Sequence, residues 1–142
     1  MKTKLFLLTM LPLFLSVSCK KHECNALSWT DYNSVEDVWC NFYYNMDEYK
    51  QYVDDTLKVY GWLFKNTESF KQWQYLTSNK DIQFCENGSI LYKFPFVTLN
   101  FLQSYYQLMP ENPYDSVIYV TGVIKYNFDV DDYHLNVTNV KK

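Results

Sequence analysis

Ser116-Val-Ile-Tyr-Val-Thr-Gly-Val-Ile-Lys-Tyr126 and Tyr133-His-Leu-Asn-Val-Thr-Asn-Val140 read as the two arms of a β-hairpin. The polar, turn-forming stretch Asn127-Phe-Asp-Val-Asp-Asp132 joins them. In the second arm Tyr133, Leu135 and Val137 alternate with His134, Asn136 and Thr138, which puts one face on a core and the other in water. An earlier stretch, Leu57-Lys-Val-Tyr-Gly-Trp-Leu-Phe64, echoes the first arm, a glycine again interrupting a β-branched and aromatic run. A mid-strand glycine removes a side chain where a strand bends, bulges or is closely approached. Gly61 and Gly122 therefore predict the bend or bulge points of a small, strongly curved barrel.

Upstream of these strands, Asn33-Ser-Val-Glu-Asp37 opens a helix, with Ser34 as cap and Asp37 as a weaker capping-box acid. Val35, Val38, Trp39, Phe42, Met46, Tyr49 and Val53 recur at spacings of three and four, so one face is apolar to about Tyr52. A first strand is expected over 57–65, a second over 70–77, an extended piece over 81–86 and a third strand over 89–97. Asn87-Gly88 supplies a type I′ turn signal before the third strand, and Pro95 implies an edge or a bulge within it. Thr98 is placed to cap a second helix carrying Leu102, Tyr105, Tyr106 and Met109, which Pro110 ends.

The fold class that follows is mainly β with two helices, an α+β arrangement. A five-stranded barrel is preceded by one helix, and the second helix lies between strands three and four. With Val59-Tyr-Gly61, Val120-Thr-Gly122 and a closing Leu135-Asn-Val-Thr138, residues 34–140 resemble the oligonucleotide/oligosaccharide-binding (OB) fold, in particular the tRNA anticodon-binding-like group of small bacterial OB domains. The resemblance implies a ligand face across the outer side of strands two and three, flanked by the loops joining strands one to two and four to five. On this chain that face carries Trp73, Tyr75, Tyr92 and Phe94, between loop 66–69 and the acidic loop 127–132. Core packing is the default for aromatics at alternating strand positions. Exposed, the four side chains form a platform with an acidic rim, suited to a sugar, a peptide or a basic protein.

The leading segment reads as a targeting signal over 1–18: Lys2 and Lys4 form a charged start, 5–17 an apolar run too short to span a bilayer, and Ser16-Val-Ser-Cys19 a small-residue cleavage site. A cysteine directly after that site resembles the lipobox of bacterial lipoproteins. It implies lipidation of Cys19, a tether over 19–33, an OB-like domain over 34–142, and a place in the bacterial envelope on its periplasmic or surface side. Without Lys2 and Lys4, 11 of the 13 basic residues face 16 acidic ones, a formal charge of −5. Not one arginine occurs, and arginine is the residue best suited to bidentate phosphate recognition. Nucleic acid is thereby disfavoured as a partner.

Three further cysteines remain in an oxidising setting. Cys40 with Cys85 is the preferred disulfide, both lying inside the expected domain whereas Cys24 falls on the tether; the alternative is three unpaired thiols. The spacings match no zinc site. His22 lies on the tether and His134 on a wet strand face, and no Ser-His or Cys-His pair, phosphate loop or metal-ligand cluster stands out. The aspartates of 129–132 lack the spacing and glycine of an EF-hand. The expectation is a non-catalytic binding or adaptor module without metal or cofactor. The alternative is an acidic inhibitor or immunity-type protein that masks a basic enzyme; a groove favours the first and a convex acidic patch the second.

Overall fold

The computed structural model describes residues 23–64, 72–82, 94–102 and 105–142. The targeting segment, Cys19, Cys85, the Asn87-Gly88 turn and Tyr92 lie outside the described residues. A short strand β1 (Asn33–Ser34) leads into helix α1 (Val35–Tyr44), a single turn α2 (Met46–Tyr49) and a 3-10 turn at Lys50–Tyr52. Strands β2 (Thr56–Leu63), β3 (Trp73–Thr77) and β4 (Phe96–Asn100) follow, then helix α3 (Tyr105–Leu108) and the hairpin β5 (Ile118–Asn127) and β6 (Asp132–Lys141). Among the described residues no helix is long and apolar enough to cross a membrane.

The sheet runs β1-β2-β3-β4-β6-β5, and pairing of β2 with β5 closes the last five strands into a barrel. All barrel pairs are antiparallel except β4 with β6. This is an OB-like α+β fold: a three-strand meander whose last strand runs parallel to the final strand of the chain. Closure leaves the barrel without a free edge. Leu57, Val59, Leu63, Leu76, Leu99, Ile118, Val120, Ile124 and Leu135 fill its interior, each fully buried.

Both expected glycine devices are present, and close packing rather than positive φ requires them. Gly61 lies in β2 where its edge passes from β1, paired at Val59 and Tyr60, to β3, paired at Trp62 and Leu63. A Cβ there would stand 2.6 Å from Val35 Cγ2 and 2.7 Å from the Thr77 carbonyl oxygen. Gly122 sits at the register shift between β5 and β6, where a Cβ would meet Leu135 Cβ at 2.9 Å. There β6 carries the extra residue, Thr138, whose hydroxyl donates to the Thr121 carbonyl at 3.1 Å.

Several expectations are corrected. The disulfide joins Cys24 to Cys40, not Cys40 to Cys85, with the two Cα atoms 5.7 Å apart. Residues 23–33, assigned by the sequence to the tether, pack onto the domain: Leu27 is buried, and Asn33 binds the segment in both directions. Its Nδ2 donates to the carbonyls of Ser28 (2.8 Å) and Lys58 (3.0 Å), while its Oδ1 accepts from the Ser28 amide (2.7 Å). Ser34 does cap α1, accepting from the Asp37 amide at 3.1 Å. The helix stops at Tyr44, however, and restarts as α2 after Asn45. Thr98 is not a helix cap: β4 continues to Asn100 because Val97 and Leu99 bury on the barrel side and the strand pairs with β6. The second helix shortens to Tyr105–Leu108, and the extended piece expected at 81–86 begins as a 3-10 turn at Lys80–Ile82.

Candidate functional site

β3 presents its side chains in an unexpected sense. Gln74 and Leu76 turn inward and are fully buried, while Trp73 keeps 37% of its surface exposed. A strand that folded only to bury apolar area would do the reverse, since glutamine is among the residues least often found inside. The register then lines up Tyr75, Thr98, His134 and Lys125 in one row across β3, β4, β6 and β5 on the outer face. Trp73 meets the His134 ring edge-to-face at 5.2 Å, and Tyr75 meets Phe96 likewise at 5.8 Å.

This face is the floor of a groove of about 660 Å³. Helix α1 forms one wall through Trp39, Phe42 and Tyr43, extended by Met46 of α2. The β5–β6 turn forms the opposite end, contributing Asn127, Val130, Asp131 and Asp132. That turn is shaped by its own polar residues: Asn127 Oδ1 accepts from the Asp129 amide at 3.0 Å, and Asp131 takes φ of 52°. Tyr133 anchors the floor to the wall. Its ring lies 4.7 Å from Phe42, and its hydroxyl donates to the Met46 carbonyl. Burial pushes the Tyr133 phenol up to about 12, helped by the charges of Asp47 and Asp131, so it remains a donor at any physiological pH.

The electrostatics are one-sided. Burial lowers the His134 imidazole below its ordinary value; the neighbouring Asn136 side chain opposes this and the charge of Lys125 reinforces it. The ring is therefore neutral near pH 7. Asp132 is open to solvent as a residue, yet loss of hydration raises its carboxyl somewhat, with Asp131 adding to the effect and the Tyr133 amide opposing it. Among the described residues no lysine lines the groove. Lys125 is engaged by Asp54, and Lys50 by Asp47 at 2.8 Å. A ligand entering here meets aromatic faces, the His134 ring and two carboxylates, with no lysine among the described lining residues. Among the described residues no group of three or more His, Cys, Asp or Glu is placed to hold a metal ion.

Of the four aromatics the sequence singled out, the structure brings Trp73 and Tyr75 into the groove beside loop 127–132. Phe94 is half-buried ahead of β4 and does not line it; Phe96, two residues on with the same strand parity, takes that place. Tyr92 lies outside the described residues. Sequence reasoning misses the α1 wall: Trp39, Phe42 and Met46 belong to the apolar stripe of the helix, and Tyr43 lies outside that stripe. Tyr43 is 62% exposed, whereas Val38 and Phe42 of the same helix are buried. No protein-family model matches the chain, and no curated protein matches it.

Proposed function

We propose that the protein is an envelope-anchored, non-catalytic binding lipoprotein, tethered through Cys19, whose OB-like domain takes a sugar or peptide ligand in the aromatic groove. The observation that carries this reading is the inversion of β3: a buried Gln74 and an exposed Trp73 facing a groove of about 660 Å³. That volume falls within the few hundred to a thousand Å³ usual for sites that enclose a small ligand. Large apolar side chains exposed together mark a binding surface more often than chance exposure does. Aromatic faces stack on sugar rings and on planar or apolar side chains, and Asp131 and Asp132 suit hydroxyls, amides or ammonium groups. A recessed groove favours this reading over an acidic inhibitor acting through a convex patch.

Nucleic acid is a poor fit despite the fold. Its affinity rests on exchanging condensed counterions for protein cations, and here the groove offers carboxylates. The test is an array of envelope oligosaccharides and short peptides probed with residues 23–142 and with Trp73→Ala. The parent is expected to bind a sugar or peptide, and the variant to bind about tenfold more weakly, the order expected for one stacked aromatic. Labelled single-stranded DNA and RNA should show no saturable binding at low salt. Salt-sensitive micromolar binding of either, or equal binding by Trp73→Ala, overturns the proposal.

A further inference from the structure

We infer that the exposed aromatic face of α1, Tyr43 and Tyr44 beside Cys40, rests on the phospholipid headgroup layer, so that the groove opens along the membrane surface. This rests on the reading of Cys19 as the lipidated residue. The disulfide supplies the geometry. Cys24 is fixed to α1, with its Cα 5.7 Å from that of Cys40. Five peptide steps separate Cys19 from Cys24 in the sequence, a reach of at most about 18 Å even fully extended. A domain of this length is about 35 Å across. A tether shorter than the domain's own diameter cannot let it turn over freely. The tether confines the point from which it leaves to the half of the domain nearer the bilayer.

That point lies on α1, whose chemistry suits an interface. Cys40, Tyr43 and Tyr44 stand at positions i, i+3 and i+4 and therefore share one side of the helix. Tyr43 is 62% and Tyr44 46% exposed, and the Trp39 ring stacks on Tyr43 at 5.3 Å. Tyrosine and tryptophan are the residues that settle at the headgroup level, where an apolar ring and a polar tip are both satisfied. Lys20 and Lys21 follow Cys19 directly and offset the repulsion between an acidic domain and anionic lipids. Trp39 and Tyr43 also line the groove, so its α1 wall is the side nearest the lipid.

The test is hydroxyl-radical footprinting of the lipidated full-length protein in phosphatidylcholine vesicles, read by mass spectrometry. The soluble Cys19→Ser form is the comparison. Oxidation of Tyr43 and Tyr44 is expected to fall several-fold in vesicles, while Tyr106, which is 80% exposed on α3, is oxidised equally in both. Co-flotation of the protein with vesicles while Tyr43 and Tyr44 stay as reactive as in the soluble form overturns the orientation alone. Failure of the wild type to float overturns the anchor, and the orientation with it. Equal protection of Tyr106 also counts against a single membrane-facing side.

Discussion

Replacing Gly61 by valine should lower folding stability by about 3 kcal/mol, toward the upper end of what overpacking costs, even though valine is the better strand former. The cause is steric. A Cβ at this position would lie 2.7 Å from the Thr77 carbonyl oxygen, a backbone atom of the paired strand, and 3.0 Å from Leu76 Cγ. Neither can retreat without opening the β2–β3 contact, which among the described residues pairs Trp62 with Thr77 and Leu63 with Leu76. The Val35 methyl at 2.6 Å belongs to the first turn of α1, so the same side chain would also lift the helix that walls the groove. Were β2 flat and open here, valine would gain about 0.5–1 kcal/mol from the backbone entropy that glycine forfeits. Gly122→Val should cost somewhat less, about 2 kcal/mol, because its nearest neighbours stand at 2.9 and 3.0 Å. Thr121→Val, half-buried and paired ordinarily with Lys58, serves as the control. Urea unfolding of residues 23–142 carrying each change gives the answer, and glycine variants as stable as the parent would refute the close-packed bend.

The second large effect is expected from the disulfide. Opening Cys24–Cys40 by Cys24→Ser should cost about 3 kcal/mol, the order expected for releasing a closed loop of some fifteen residues. The native contacts around it make that loss visible rather than absorbed. Asn41 Nδ2 donates to the Asn25 carbonyl at 2.7 Å, and Asn25 Nδ2 donates to Asp37 Oδ1 at 2.7 Å, so the residue directly after Cys24 is bound twice to α1. Dithiothreitol should lower the urea midpoint of the parent to that of the Cys24→Ser variant and leave the variant nearly unmoved. A parent indifferent to the reductant would show that packing of Leu27 and the Asn33 bonds suffices without the bridge.

The strands were legible in the sequence for a definite reason. In β2, β5 and β6 the period-two alternation and the interrupting glycines report local constraints, and neighbours in space impose the same pattern. The site was legible only in part. Alternation identified Trp73 and Tyr75 as sharing a face, but not which face, because Gln74 and Leu76 could as well have pointed out. That choice is made by closure of the barrel, which needs Leu76 inside and carries Gln74 with it. The α1 wall is hidden because a helical stripe does not say whether it covers a core or borders a cleft: Val38 does the first, Trp39 the second, and Phe42 both. The helix expected from Thr98 failed for a related reason. Thr98, Leu99 and Asn100 find partners in His134, Leu135 and Asn136 of β6, and a parallel pairing across more than thirty residues of chain leaves no local signature. Cys24 was set aside because distance along the chain was taken for distance from the core.

We propose the groove between α1, β3 and the β5–β6 turn as the place where the ligand sits. Amide chemical-shift mapping tests it most directly, with isotope-labelled residues 23–142 titrated with the oligosaccharide or peptide that binds best on the array. Perturbed amides are expected to cluster at Trp39 to Met46, at Trp73 and Tyr75, and from Asn127 to His134. A cluster instead on the opposite face, around Tyr32, Tyr60 and Tyr119, whose rings form their own contact at 5.1 and 6.0 Å, would contradict it.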